Sequence, residues 1–244
     1  MSVVEVNVEE PSAPPKATVL ELREFTFRGA TEHSVQFSNI DLKIVEGELA
    51  IIHLDPSLKS REFVSVLQGL KQPTSGTVRF QNQDWLGTDY DKHFEMRSRI
   101  GRVFEGHAWV ANLNVAENVA LPCLHHGHST RDLAKHWARR FGLKQVSRQR
   151  PAFLEPSQLQ IHQWIRALVC QPALLLLERP MSSVPKETIS TLCEVVDEVR
   201  GQGTAVVWIT SKRMLTEHEF EPAATHYSVQ SESLVEMEGG FTDE

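Results

Sequence analysis

The sequence predicts an α/β protein, and three features carry the prediction. Leu49-Ala-Ile-Ile52, Ala173–Leu177 and Ala205–Thr210 are short continuous apolar runs, the pattern of strands covered on both faces. Segments with apolar residues at helical spacing lie between them: Phe63, Val64, Val66, Leu67 and Leu70, then Ser157–Val169, then Lys186–Val199. Near the amino end Ile40, Leu42 and Ile44 alternate strictly, as in a strand with one buried face.

Residues 1–17 combine Glu5, Glu9 and Glu10 with Pro11, Pro14 and Pro15, a composition that buries no apolar surface and predicts a disordered tail. The fold is expected to begin at Thr18. Leu20, Leu22, Phe25 and Phe27 form one strand, and Ile40–Ile44 forms its antiparallel neighbour before a turn at Glu46-Gly47. The run Leu49–Ile52, a short loop and the Phe63–Leu70 helix read as strand–loop–helix. Pro73-Thr-Ser-Gly76 is a turn leading into a strand at Thr77–Phe80. Ile100–Phe104 is a short strand, and Val115–Leu121 is a helix ended by Pro122. Ser129 or Thr130 caps a helix containing Leu133, Trp137 and Phe141. Lys186–Val199 is an amphipathic helix closed by Gly201, and Tyr227–Val229 with Leu234–Met237 makes a terminal hairpin.

The chain has 244 residues, 41% of them hydrophobic and 23% charged, which excludes global disorder and leaves room for one large domain or two small ones. Its net charge of −7, with no long basic run, excludes nucleic acid as the main ligand. The three cysteines, Cys123, Cys170 and Cys193, show no CxxC spacing, and their odd number argues against a disulfide framework and for a reducing compartment. No apolar run approaches the ~18 residues of a membrane span.

From about Thr18 to Gly240 the order of segments resembles the nucleotide-binding subunit of an ABC transporter. Three stretches carry the resemblance at the family's spacing: Glu46-Gly-Glu-Leu-Ala-Ile-Ile52, Leu67-Gln-Gly-Leu-Lys-Gln-Pro-Thr-Ser-Gly-Thr-Val-Arg-Phe80 and Ile165-Arg-Ala-Leu-Val-Cys-Gln-Pro-Ala-Leu-Leu-Leu-Leu177. Asn112-Leu-Asn-Val-Ala-Glu-Asn-Val-Ala-Leu-Pro122 is similar to subunits serving lipid and lipoprotein transport. The resemblance implies a P-loop NTPase-like ABC ATPase fold over residues 18–240. That fold has a mixed sheet core, an antiparallel β subdomain and a helical subdomain inserted at about residues 106–160.

Every motif that carries ATP chemistry in that family is altered here. A P-loop uses glycines at positive φ so that backbone N–H groups close around the phosphates while a lysine neutralises charge. The aligned stretch is His53-Leu-Asp-Pro-Ser-Leu-Lys-Ser60, followed by Arg61. Lys59 and Ser60 remain, but His53, Pro56 and Leu58 replace glycines, and Pro56 has no N–H to donate. Asp55, beside Ser57, adds like charge to a triphosphate site; at ~5 Å and an effective dielectric of ~20 this costs on the order of 3 kcal/mol, about a hundredfold in affinity. Glu178-Arg179-Pro180 stands where the family has Asp-Glu-Pro. Glu178 and Ser60 are therefore the weak candidates for holding Mg²⁺. Arg179 replaces the catalytic carboxylate, and an always-protonated guanidinium cannot deprotonate or orient the attacking water. A pairing of Arg179 with Asp55 or Glu105 is expected instead.

The signature loop, Leu-Ser-Gly-Gly-Gln in the family, is here Leu154-Glu-Pro-Ser-Gln158, so that Glu155, Pro156, Ser157 and Gln158 offer negative charge and one amide fewer to a γ-phosphate. Glu105 stands at the Q-loop glutamine, Ser211 at the switch histidine, Pro185 at the D-loop aspartate, and Gly29 where an aromatic would stack on adenine. Because each family ATP site joins the P-loop of one chain to the signature of another, these changes affect both halves of the composite site. The expected protein is a pseudo-ATPase, with ATP and Mg²⁺ as weak ligands at most, docked on the inner face of a membrane. Its implied partners are a membrane permease and a second ABC ATPase subunit, in a homodimer or heterodimer. Trp109, Val110 and Leu113, after the Q-loop position, are the candidate permease contacts. A slow but real ATPase and a soluble regulator without a permease are the alternatives. His125, His126, His128 and His136 lack the spacing of a metal site.

Overall fold

The computed structural model describes residues 16–106, 108–124, 131–181, 183–211 and 219–237. Two sheets organise them. The first is antiparallel, in the order β2 (Phe37–Val45), β1 (Thr18–Phe27), β4 (Ser75–Phe80) and β5 (Gln83–Asp84). The second has six strands in the order β10 (Ser233–Glu236), β9 (Thr225–Gln230), β3 (Leu49–His53), β8 (Ala205–Thr210), β7 (Leu174–Glu178) and β6 (Ile100–Val103). Its neighbours from β9 to β6 pair in parallel, and β10 closes the edge as an antiparallel hairpin.

The apolar runs divide between two cores by simple alternation. Ala50, Ile52, Leu174, Leu176, Val207 and Ile209 face the antiparallel sheet and α1 (Arg61–Leu67). Leu49, Ile51, Leu175, Leu177, Val206 and Trp208 face the opposite layer, which holds α3 (Val115–Leu124), α4 (Arg131–Arg140), α5 (Pro156–Leu168) and α6 (Lys186–Gly201). A strand packed on both sides has no polar face to display, which is why these segments read as unbroken apolar runs. The sheet therefore presents its carboxyl edge as one row, with His53 opposite Thr210, Glu178 opposite Ile209 and Val103 opposite Leu177.

Several expectations are corrected. α1 ends at Leu67 because Gly69 takes φ 64°, where a Cβ would stand 2.3 Å from the Trp85 ring; Leu70 is consequently 60% exposed rather than on the buried face. Pro122 does not end α3 but lies inside it, as Val119 and Cys123 remain buried on the same face beyond the missing N–H. α2 (Tyr90–Ser98) is absent from the sequence reading: only Met96 of it is buried, so it has no apolar period, and it starts instead on an Asp89 cap that accepts from the Lys92 N–H at 2.8 Å. The cysteine argument also fails. Cys123 and Cys170 form a disulfide across 47 residues, because α3 packs on α5 and brings their Cα atoms to 5.9 Å; the odd count hid one bridge beside a buried Cys193. The tail through Pro15, the histidines at 125, 126 and 128, and the proposed caps Ser129 and Thr130 lie outside the described residues.

Candidate functional site

The carboxyl edges of β7 and β6, the P-loop position and the start of α1 meet at a buried polar knot. Glu178, the last residue of β7, is 1% exposed. Its Oε2 accepts from the Ser60 hydroxyl at 3.2 Å, and its Oε1 accepts from Arg102 Nε at 2.6 Å. Arg102 sits in β6 with a side chain 4% exposed. Its Nη1 donates to Gln68 Oε1 at 2.8 Å and to Ser65 Oγ at 3.2 Å, and its Nη2 donates to the Arg61 carbonyl at 3.1 Å. The Phe104 ring covers the guanidinium at 4.4 Å.

A second arginine closes the knot from above. Arg179 has φ 42°, uncommon for a residue with a Cβ, and its N–H donates to the Ile209 carbonyl at 2.8 Å. Its Nη1 donates to Glu105 Oε1 at 2.6 Å, while Nη2 donates to the Leu58 carbonyl at 2.8 Å and the Asp55 carbonyl at 3.1 Å. The two residues that the resemblance aligns with a catalytic carboxylate and a Q-loop glutamine are thus joined in an ion pair, and the guanidinium is anchored to the backbone of the loop between β3 and α1.

The loop between β3 and α1 is held by its own hydrogen bonds. Asp55 Oδ1 accepts from the Ser57 N–H at 2.8 Å and the Ser57 hydroxyl at 2.6 Å, and the Leu58 N–H donates to the Asp55 carbonyl at 3.0 Å. The Lys59 N–H donates to the His33 carbonyl at 2.7 Å. Two of the amides that a P-loop would present to phosphate are therefore engaged in the turn, a third bonds to a neighbouring segment, and Pro56 has none. Pro56, Lys59 and Arg61 are exposed. His53, 2% exposed, places its Nε2 3.1 Å from His226 Nδ1 with the rings stacked, and burial holds the His226 pKa below its ordinary value.

A divalent cation does not fit the residues as arranged. Both oxygens of Glu178 are engaged, Ser60 donates to one of them, and the guanidinium already supplies positive charge beside them.

The remaining positions lie on other elements and loops. Glu155 precedes α5 without a side-chain cap bond, Pro156 occupies its first turn, Gln158 is exposed and Ser157 half-buried. Pro185 is the residue before α6, and Ser211 follows β8 half-buried. A Cβ on Gly29 would lie 2.1 Å from Ser34 Cβ, so the local packing rejects an aromatic there. Trp109 is half-buried against the helical core under the Arg166 guanidinium, 4.7 Å from its ring; burial lowers the Arg166 pKa to about 10. Val110, 45% exposed, and Leu113 are fixed by Asn118, whose Oδ1 accepts from the Val110 N–H at 2.8 Å and whose Nδ2 donates to both carbonyls. His136 is exposed, 3.7 Å from Glu198, and no metal-ligating cluster exists among the described residues.

Sequence reasoning missed Arg102, His226 and Asn118. A signal existed for the first, since an arginine interrupts the otherwise uncharged strand Ile100–Val103 and a buried charge requires a partner.

The ABC transporter family pattern matches residues 37–182. The lipoprotein-releasing system ATP-binding protein LolD of Legionella pneumophila is 28% identical over 198 residues, covering 79% of this chain and 87% of that protein. A methionine import ATP-binding protein, MetN 1 of Acinetobacter baylyi, is 30% identical over 190 residues; the match covers 76% of this chain and about half, 53%, of that relative. The solved dimeric structure of a bacterial ABC transporter cassette is similar with a TM-score of 0.77 at 21% identity, covering 91% of this chain and all of that one.

Proposed function

The chain belongs to the ABC transporter family, and from that premise we propose that it is a cassette that has lost efficient ATP hydrolysis and acts as a structural or regulatory subunit on a membrane permease. The observation that carries the reading is Arg179, paired with Glu105 at 2.6 Å and anchored on the Asp55 and Leu58 carbonyls, where a cassette needs a carboxylate to orient water. Loss of a general base alone lowers a rate by ~10²–10⁴. Here the phosphate-binding amides are also spent on internal bonds. The likeness to LolD favours a lipid or lipoprotein type of permease, and the dimeric cassette among its structural neighbours favours pairing with a second ATPase subunit. Such a subunit works at the cytoplasmic face of a membrane through its partners; no described helix is long and apolar enough to cross one. The competing reading, a slow ATPase, draws on the exposed Lys59 next to the retained Ser60.

Equilibrium titration with a fluorescent ATP analogue separates the two. Binding tighter than ~100 µM that requires Mg²⁺ and is lost in Lys59→Ala sinks the pseudo-ATPase reading; a thousandfold weaker or metal-independent response supports it. Arg179→Glu restores a base but not the amides, and residues acting as a unit are non-additive, so phosphate release stays at background. Docking is tested at Trp109. Trp109→Ala folds, by circular dichroism, yet co-purifies less with the permease from detergent-solubilised membranes, a loss of ~2 kcal/mol or more for an interface anchor. Undiminished co-purification rejects Trp109 as a contact.

A further inference from the structure

Glu178 and Ser60 are the two groups that the family resemblance assigns to Mg²⁺, and in this chain a third side chain stands between them and any metal. Arg102 spends four N–H bonds on Glu178, Gln68, Ser65 and the Arg61 carbonyl, and its planar face lies on Phe104. Arg102 reaches from β6 to the end of β7 and to α1 and its cap Gln68, so the guanidinium is the centre of a prepared cation site rather than an incidental surface pair. A fork-shaped cation with five donors suits this mixture of carboxylate, amide and carbonyl oxygens. A metal entering would meet a carboxylate with no free oxygen and a unit of like charge a few ångströms away.

We propose that the Arg102 guanidinium is a resident cation that takes the place of the divalent metal, tying β6, β7 and α1 together whether or not nucleotide is present. The inference extends the proposed loss of MgATP turnover and is tested without turnover. A bound metal ion exchanges with solvent; a side chain does not. The P-loop end of this protein is then permanently assembled, which suits a subunit whose task is to be docked rather than to cycle. Removing the guanidinium uncovers a latent site for Mg²⁺ or Mn²⁺ made of Glu178 and Ser60.

The test is Mn²⁺ binding to the full chain, followed by the loss of the free-ion electron paramagnetic resonance signal, with no nucleotide present. The natural protein takes up no stoichiometric Mn²⁺. Arg102→Met binds one Mn²⁺ per chain, at least about a hundredfold more tightly than the natural protein. The double variant Arg102→Met/Glu178→Gln loses that binding. Arg102→Met also melts about 10 °C lower than the natural protein, because Glu178 is left buried without its partner, and Mg²⁺ or Mn²⁺ restores part of the loss. Stoichiometric Mn²⁺ on the natural protein, abolished by Glu178→Gln, overturns the proposal, as does a folded Arg102→Met that ignores the ion. If Arg102→Met does not fold alone, preparation with Mn²⁺ throughout decides: a folded chain carrying one Mn²⁺ supports the proposal, and a chain unfolded in both conditions overturns it. Failure of permease docking with this Mn²⁺ pattern intact rejects only the docking reading.

Discussion

The two stretches that the family resemblance assigns to a nucleotide site are built in opposite ways. At the P-loop half the charged and polar side chains are paired within the fold: Arg102 with Glu178, Arg179 with Glu105, and Asp55 with Ser57. At the signature half, Glu155 and Gln158 are exposed, and Glu155 makes no capping bond to its own helix. The difference follows from burial. A charge 1% exposed at the edge of β7 costs several kcal/mol unless it is compensated, and here Arg102 compensates it. A charge in water at a helix start needs no partner, and substitution there is nearly free of structural consequence. The two stretches therefore differ in how their charges are held: by internal bonds in one, by solvent in the other.

The comparison breaks first at the buried pair. Glu178→Ala leaves Arg102, with its 4%-exposed side chain, short of its carboxylate, and removal of one partner of a buried ion pair costs about 3–5 kcal/mol. Urea denaturation monitored by tryptophan fluorescence should show a fall of that size. A loss under ~1 kcal/mol would mean that Gln68, Ser65 and the Arg61 carbonyl hold the guanidinium unaided.

The body of the signature helix behaves as a buried region even though its start does not. His162 of α5 is 2% exposed; its Nδ1 lies 2.6 Å from the Gln158 carbonyl, and its Nε2 accepts from the Ser147 N–H at 3.1 Å. Neutral imidazole with the proton on Nδ1 satisfies both contacts, whereas the protonated ring would set one N–H against another. Burial lowers its pKa, outweighing the bond to Gln158, so the unfolded chain binds the proton more readily. This stability contribution is present above the unfolded value of about 6.5 and is lost as pH falls from there toward the lowered folded value. His162→Asn should therefore be less stable than the natural protein at pH 8 and lose less on going to pH 5.5. Parallel pH profiles of the two proteins would remove His162 as a source of the dependence.

What could be read in the sequence divides along the same line as the two halves. Buried strands and helices leave a period or an apolar run, and Leu49–Ile52, Ala173–Leu177 and Ala205–Thr210 lie where those patterns put them. The exposed α2 leaves none, and Pro122 misleads because burial of Val119 and Cys123 outweighs one missing hydrogen bond. The residues aligned with the family motifs can be read one by one from the sequence, since each needs only its own neighbours. Their compensation was not, because Arg102 and Glu178 are 76 residues apart and meet only through the register of β6 on β7. The disulfide is invisible for the same reason.

The smallest effect is expected at Glu155→Ser. The carboxylate at the start of α5 interacts favourably with the positive end of the helix dipole, which contributes about 0.3–1 kcal/mol and is screened by salt. Serine loses that interaction but accepts a bond from an N–H of the first turn, a gain of about 0.5–1 kcal/mol that salt leaves in place. The two terms are of equal size and opposite sign, so at low ionic strength the variant should match the natural protein within ~0.5 kcal/mol in urea denaturation, and in concentrated salt it should become the more stable of the two. Nucleotide binding should not change, because the P-loop half keeps its internal bonds. A stability loss above ~1 kcal/mol at any ionic strength would show that Glu155 has a partner in the fold, and the signature half would then resemble the P-loop half after all.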